Sequence, residues 1–99
     1  MVNCIFSNKA IDDLDSIWLY TFEDWSEQQA DIYYNEIVSA CQSICSSKIN
    51  TDREYNEIRK GLWCRHCHKH LIFYKYSSEN TVEIIRILHE MMDIENIIQ

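Results

Sequence analysis

The positions Ala10, Leu14, Ile17, Trp18, Thr21 and Trp25 recur at spacings of three and four, while Asp12, Asp13, Asp15 and Glu23 fall on other sides of the same wheel. That period predicts an amphipathic helix. Ser7 precedes it with a hydroxyl suited to the exposed amides of a helix start, and the early aspartates suit the positive end of the dipole. The apolar run 2–6 ahead of Ser7 reads as a strand. Ser26-Glu27-Gln28-Gln29 is a capping-box pattern and opens a second helix, striped by Ala30, Tyr33 or Tyr34, Ile37, Cys41, Ile44 and Cys45. So short a junction predicts an antiparallel helical hairpin.

Residues 46–56 are polar and aperiodic and read as a loop, after which 57–66 alternates imperfectly and predicts a strand. Residues 70–76 are rich in aromatic and β-branched side chains, and Ser77-Ser78-Glu79-Asn80 separates them from the apolar run 81–88. The three strands form an antiparallel meander, and the tail from Met91 carries enough apolar residues for one or two loose helical turns. The predicted class is α+β, in the order β-α-α-β-β-β, with the helical hairpin packed on one face of a small, mainly antiparallel sheet. Trp18, Trp25, Tyr33, Phe73 and Tyr74 fall on inward stripes and are expected in the core.

Composition narrows this picture. With 99 residues, 46% hydrophobic, one glycine and no proline, the chain is expected to form a single domain over 1–99 without a linker. No run approaches the roughly 20 apolar residues that cross a bilayer, and the opening Met1-Val2-Asn3-Cys4-Ile5-Phe6 lacks a basic flank and a cleavage site. A cytoplasmic protein is expected, and its five cysteines, odd in number and scattered, are expected to be reduced thiols. A formal net charge of −7 disfavours direct nucleic-acid binding. The charge is also uneven: acids crowd 12–36, whereas Arg53, Arg59, Lys60, Arg65, Lys69, Lys75 and Arg86 lie in the second half. Either the first half meets a basic partner and the second an acidic one, or these are solvated faces.

Several segments resemble the ParE toxins of the RelE/ParE toxin–antitoxin superfamily. They are Ser7-Asn8-Lys9-Ala10 with Ile17-Trp18-Leu19-Tyr20, Gln29-Ala30-Asp31-Ile32-Tyr33, Glu57-Ile58-Arg59-Lys60-Gly61-Leu62, His70-Leu71-Ile72-Phe73-Tyr74, and Arg86-Ile87-Leu88-His89-Glu90 followed by Met92-Asp93. The chain departs from the family where a proline and a glycine usually precede the arginine at Arg53, and where a small or glycine turn is replaced by Cys64-Arg65-His66-Cys67-His68-Lys69-His70. The resemblance implies a toxin of the kind that stabilises plasmids, inhibits DNA gyrase and is neutralised by a cognate, ParD-like antitoxin in a hetero-oligomer.

The sister RelE branch cleaves messenger RNA on the ribosome, which needs cations for the phosphate and a group that moves protons. Where many RelE-like nucleases carry an arginine and an aromatic, alignment places Leu71 and Glu90. Arg59, Arg86 and His89 remain as candidate catalytic groups, against a structural reading in which the arginines pair with Glu57 or Glu83 and His89 is a buried imidazole. The Cys64-x-x-Cys67 pair, with His68 or His70, offers half a tetrahedral zinc site, but alternation points strand neighbours to opposite faces, and no cofactor is expected. Trp63, sharing a face with Arg59 and Arg65, has the composition of an exposed interface hot spot. A non-catalytic gyrase inhibitor is therefore the leading expectation. Its antitoxin would meet the acidic hairpin through Asp12, Asp13, Asp15, Glu23, Asp24 and Asp31, and its target would meet Arg53, Arg59, Trp63 and the tail with Met91 and Met92. The alternatives are a RelE-like ribosome-dependent mRNA endonuclease and a non-toxic homologue that only binds antitoxin.

Overall fold

The computed structural model of the chain describes residues 3–46 and 52–98. Strand β1 (Asn3–Phe6) leads into helix α1 (Asn8–Asp24), which starts where the Ser7 hydroxyl accepts from the Ala10 amide at 3.0 Å. Helix α2 (Glu27–Ser46) follows, with the Gln29 amide donating to the Ser26 hydroxyl at 3.1 Å. The first turn of α1 holds no acid; Lys9 sits there instead, so the expected dipole pairing with the aspartates is not made.

Strand β2 (Arg53–Glu54), β3 (Trp63–Cys67), β4 (His70–Ser78) and β5 (Thr81–His89) complete a five-stranded sheet in the order β1-β5-β4-β3-β2, and a short helix α3 (Ile94–Ile98) ends the fold. The β1–β5 pair is parallel and the others antiparallel. Two elements differ from expectation. Part of the predicted 46–56 loop is the two-residue strand β2, while residues 47–51 lie outside the described residues. The predicted strand 57–66 starts only at Trp63, because residues 55–62 turn on themselves: the Ile58 and Arg59 amides donate to the Tyr55 carbonyl and Gly61 takes φ 78°. Its imperfect alternation was the trace of a turn whose Ile58 and Leu62 both face the sheet.

Side chains alternate across the sheet, except at a register shift between Phe73 and Tyr74 that leaves Ile85 of β5 as an extra residue, and make two cores. Ile72, Tyr74, Val82, Ile84 and Ile87 face the helical hairpin and meet Ala10, Leu14, Ile17, Ile37, Cys41 and Ile44. Phe73 and Leu88 face the other way, where Leu62, Cys64 and Ile98 close over them with Tyr55, Ile58, Ile94 and Ile97. The tail therefore divides: α3 packs on the second face, and Met91 and Met92 before it are exposed. Trp25, expected inside, is 78% exposed at the end of α1, and Trp18 is half-buried, stacked on Phe22 and donating from Nε1 to Asp31 at 2.9 Å. The hairpin turn after β3 puts His68 at φ 54°, a left-handed position that glycine usually fills.

The cysteine expectation is corrected. Cys4 and Cys45, 41 residues apart, are joined in a disulfide that ties β1 to the end of α2, leaving Cys41, Cys64 and Cys67 free. Neighbouring elements brought the two together, which spacing along the chain did not reveal. No helix is long and apolar enough to cross a membrane among the described residues.

Candidate functional site

Strand β1 pairs with β5 only as far as Ile84, and α1 takes over the open edge beyond it. The Ser7 hydroxyl donates to the Ile85 carbonyl at 2.6 Å, and nearly two turns further on Asp13 Oδ2 accepts the Ile87 amide at 2.9 Å. The same carboxylate receives Arg86 through Nε at 2.8 Å and Nη2 at 2.9 Å. Hydrogen bonding to Asp13 raises the guanidinium pKa further above its ordinary value. Asp13 thus seams a helix to a strand edge and neutralises the cation that opens the Arg-Ile-Leu-His segment.

Beside this seam, between α1 and the ends of β4 and β5, a groove of about 390 Å³ is lined by Ile17, Tyr20, Thr21, His70, Ile87, His89, Met91 and Met92. It continues past Tyr20, Thr21, His70 and His89 into a recess bounded by Trp25, Gln29, Tyr33 and His68. The rim is apolar and exposed: Tyr20 is 70% and Met91 82% accessible. Exposed apolar side chains gathered along a groove are the composition of a protein-binding surface.

Histidines floor this groove. Tyr33 Oη and His70 Nδ1 are 2.6 Å apart, and the His70 and His89 rings meet edge-on at 5.3 Å. Burial, then the neighbouring His89, pushes the His70 imidazole down to about 4, so it is neutral at neutral pH. Burial likewise raises the Tyr33 phenol. The Met91 amide donates to His89 Nδ1 at 3.1 Å. His66 meets Glu90 at 3.0 Å and His68 meets Glu36, linking the β3–β4 turn to the residue after β5 and to α2. Sequence reasoning missed these contacts, since Tyr33 and His70 lie 37 residues apart with no local signal joining them.

The candidate catalytic residues are divided. Arg59 and Arg86 line a cleft between the start of α1 and α3, whereas His89 lines the groove. Arg86 pairs with Asp13 and not with Glu83, which meets Lys75, while Glu57 meets Arg53 and leaves Arg59 without an ion pair among the described residues. Leu71 packs on the second core and Glu90 faces outward. The candidate metal ligands are also split: Cys64 is buried on the second face, Cys67 packs toward the first, and burial pushes the Cys64 thiol up to about 12, away from the thiolate a metal needs. Among the described residues no three of His, Cys, Asp or Glu converge to hold an ion.

Of the candidate partner-binding residues, Asp12 and Asp15 are exposed while Asp13 is spent on Arg86. Asp31 is exposed and receives Trp18. Trp63 is not an exposed hot spot: it is half-buried, packs against the first core and meets Tyr76 edge-on, and its neighbour Arg65 is held by Asp52 at 3.0 Å. Arg53 is exposed, paired to Glu57 at 3.1 Å and stacked over the Tyr55 ring.

Residues 4–94 match the profile of the ParE toxin of the type II toxin–antitoxin system parDE. The chain is 30% identical over 82 residues to Toxin ParE1 of Mycobacterium tuberculosis (strain CDC 1551 / Oshkosh), covering 83% of each protein. It is 34% identical over 89 residues to Toxin ParE1 of Caulobacter vibrioides, covering 88% of each. Its fold is similar to a chain of the chromosomal ParDE TA system from P. aeruginosa, at a TM-score of 0.78 and 15% identity over 90% of this chain and 96% of that one. A chain of the YoeB-YefM complex from Staphylococcus aureus superposes at a TM-score of 0.54 and 19% identity, covering 90% of this chain and 97% of that one.

Proposed function

The chain belongs to the ParE toxin family of type II toxin–antitoxin systems, and from that membership we propose that it acts in the cytoplasm by binding DNA gyrase, without catalysis, until a cognate ParD-like antitoxin neutralises it. The observation that carries the non-catalytic reading is the engagement of Arg86. Its guanidinium is neutralised by Asp13, so it brings no net charge to a scissile phosphate, and it lines a different opening from His89. A nuclease needs cations and a proton-moving group around one phosphate.

The groove beside α1 is the antitoxin's place in this reading. Tyr20, Trp25, Met91 and Met92 supply apolar anchors, and the exposed Asp12, Asp15, Glu23 and Asp24 on the same helix attract a basic amphipathic segment and speed its association. The target would meet the other face, where Arg53 in β2 and Arg59 on the turn after it are exposed and Arg59 lines the cleft beside α3.

Purified protein tests this directly. Inhibited supercoiling with accumulation of cleaved DNA, and intact message on ribosomes, is the expected result. Cleaved message with unaffected supercoiling would establish the endonuclease instead. Tight antitoxin binding with no effect on growth, supercoiling or message would mark a homologue that has lost toxicity.

A further inference from the structure

We propose that the cleft between the start of α1 and α3 is an oxyanion site that accepts an acidic side chain of a protein partner, a proposal that rests on the reading of this face as target-directed. The cleft, about 270 Å³, is lined by Lys9, Arg59 and Arg86 together with Ser7, Asn8, Ile85, Ile97 and Ile98, and among the described residues no carboxylate lines it. With Arg86 matched by Asp13, two cations unpaired among the described residues remain in it, in a chain of net charge −7.

The ion pairs show which charge is unspent. Arg53, Arg65, Lys75 and Arg86 are matched by Glu57, Asp52, Glu83 and Asp13, whereas Lys9 and Arg59 form no ion pair among the described residues. Lys9 is also misplaced for the helix it belongs to. It stands in the first turn of the 17-residue α1, which has no acid there, so a cation faces the positive end of the dipole. A carboxylate seated in the cleft would offset both at once and would also meet Arg59, which lines the same cleft.

The rest of the lining selects the class of partner. A polyanionic nucleic acid would be repelled by the net charge and find in the cleft only two unmatched cations among the described residues. Three isoleucines around a small opening suit one acidic side chain with aliphatic neighbours, as a protein surface presents it.

The probe is an acetylated, amidated tetrapeptide of leucine, glutamate, aspartate and leucine, added to the whole protein while amide shifts are followed by NMR. Saturable shifts at Asn8, Lys9, Ile97 and Ile98 are expected, absent with the glutamine–asparagine peptide. Lys9→Gln and Arg59→Gln, both at exposed positions, should each lose about tenfold in affinity while keeping the spectrum of a folded protein. No shifts, or shifts elsewhere, would overturn the site. Inorganic phosphate binding as well as the peptide would show an adventitious ion only, and a short DNA duplex binding better than the peptide would overturn the protein partner. Because no gyrase is present, failure here leaves growth arrest and supercoiling inhibition to judge the toxin reading separately.

Discussion

Replacing Asp13 with alanine removes three hydrogen bonds at one carboxylate and leaves the Arg86 guanidinium unpaired at a position where its side chain is 19% accessible. Breaking one partner of a fully buried pair costs about 3–5 kcal/mol, and the fifth of Arg86 that water already reaches lowers that to about 2–3 kcal/mol. For a domain of this size the loss corresponds to a fall in melting temperature of about 10–20 °C. Asp13→Asn keeps an acceptor for the Ile87 amide but not the charge, and should cost about 1–2 kcal/mol. Urea unfolding followed by circular dichroism measures all of these, and Arg86→Met completes a cycle whose coupling should be about 1–2 kcal/mol. A cost for Asp13→Ala below about 0.5 kcal/mol, or additive single variants, would refute the seam between α1 and β5. The same cycle bears on mechanism, because an arginine kept for phosphate chemistry would lose activity on substitution without losing stability.

Three further outcomes follow from the geometry. His70 has a folded pKa of about 4, below the 6.5 of the unfolded chain, so the unfolded state takes the proton first and stability present above about pH 6.5 is lost as pH falls toward 4. Discounted for a partly exposed ring, that contribution is about 1–2 kcal/mol. His70→Phe should remove it, and a wild-type-minus-variant stability difference that is flat in pH contradicts the assignment. Gly61→Ala should cost about 1–2 kcal/mol through φ 78° alone, since a Cβ there meets nothing within 4 Å; a neutral result would mean that the 55–62 turn relaxes. In the oxidised protein, alkylation under denaturing conditions should find three thiols before reduction and five after it. Cys4→Ser should then cost about 4 kcal/mol for a closed loop of 41 residues; five thiols without reduction would dismiss the bond.

Much of the architecture was legible because it is local. The stripe Ala10, Leu14, Ile17 and the caps at Ser7 and Ser26 depend only on helical spacing and on the reach of a hydroxyl to an amide three residues on. The same reasoning failed at Trp25, where a periodic position falls on the cap that ends α1 and stays 78% exposed, and at 57–66, where a turn and a half-buried strand both present apolar residues at uneven intervals. Identity was legible too, since Arg86-Ile87-Leu88-His89 with Met92-Asp93 resembles a known family strongly enough to anticipate the relatives found.

What the amino-acid sequence determined by itself was the helical hairpin, the meander, the acidic balance and the family, all properties of neighbours in the chain or of its totals. Only the tertiary structure decided which charges are spent. Asp13 and Arg86 are 73 residues apart, Cys4 and Cys45 are 41, and Lys9 reaches the same cleft as Arg59 only because β1 pairs with β5 and α3 folds back over the sheet. An ion pair's partner depends on distances in space that no spacing along the chain encodes, so the residues fit for chemistry were visible in the sequence while their availability was not.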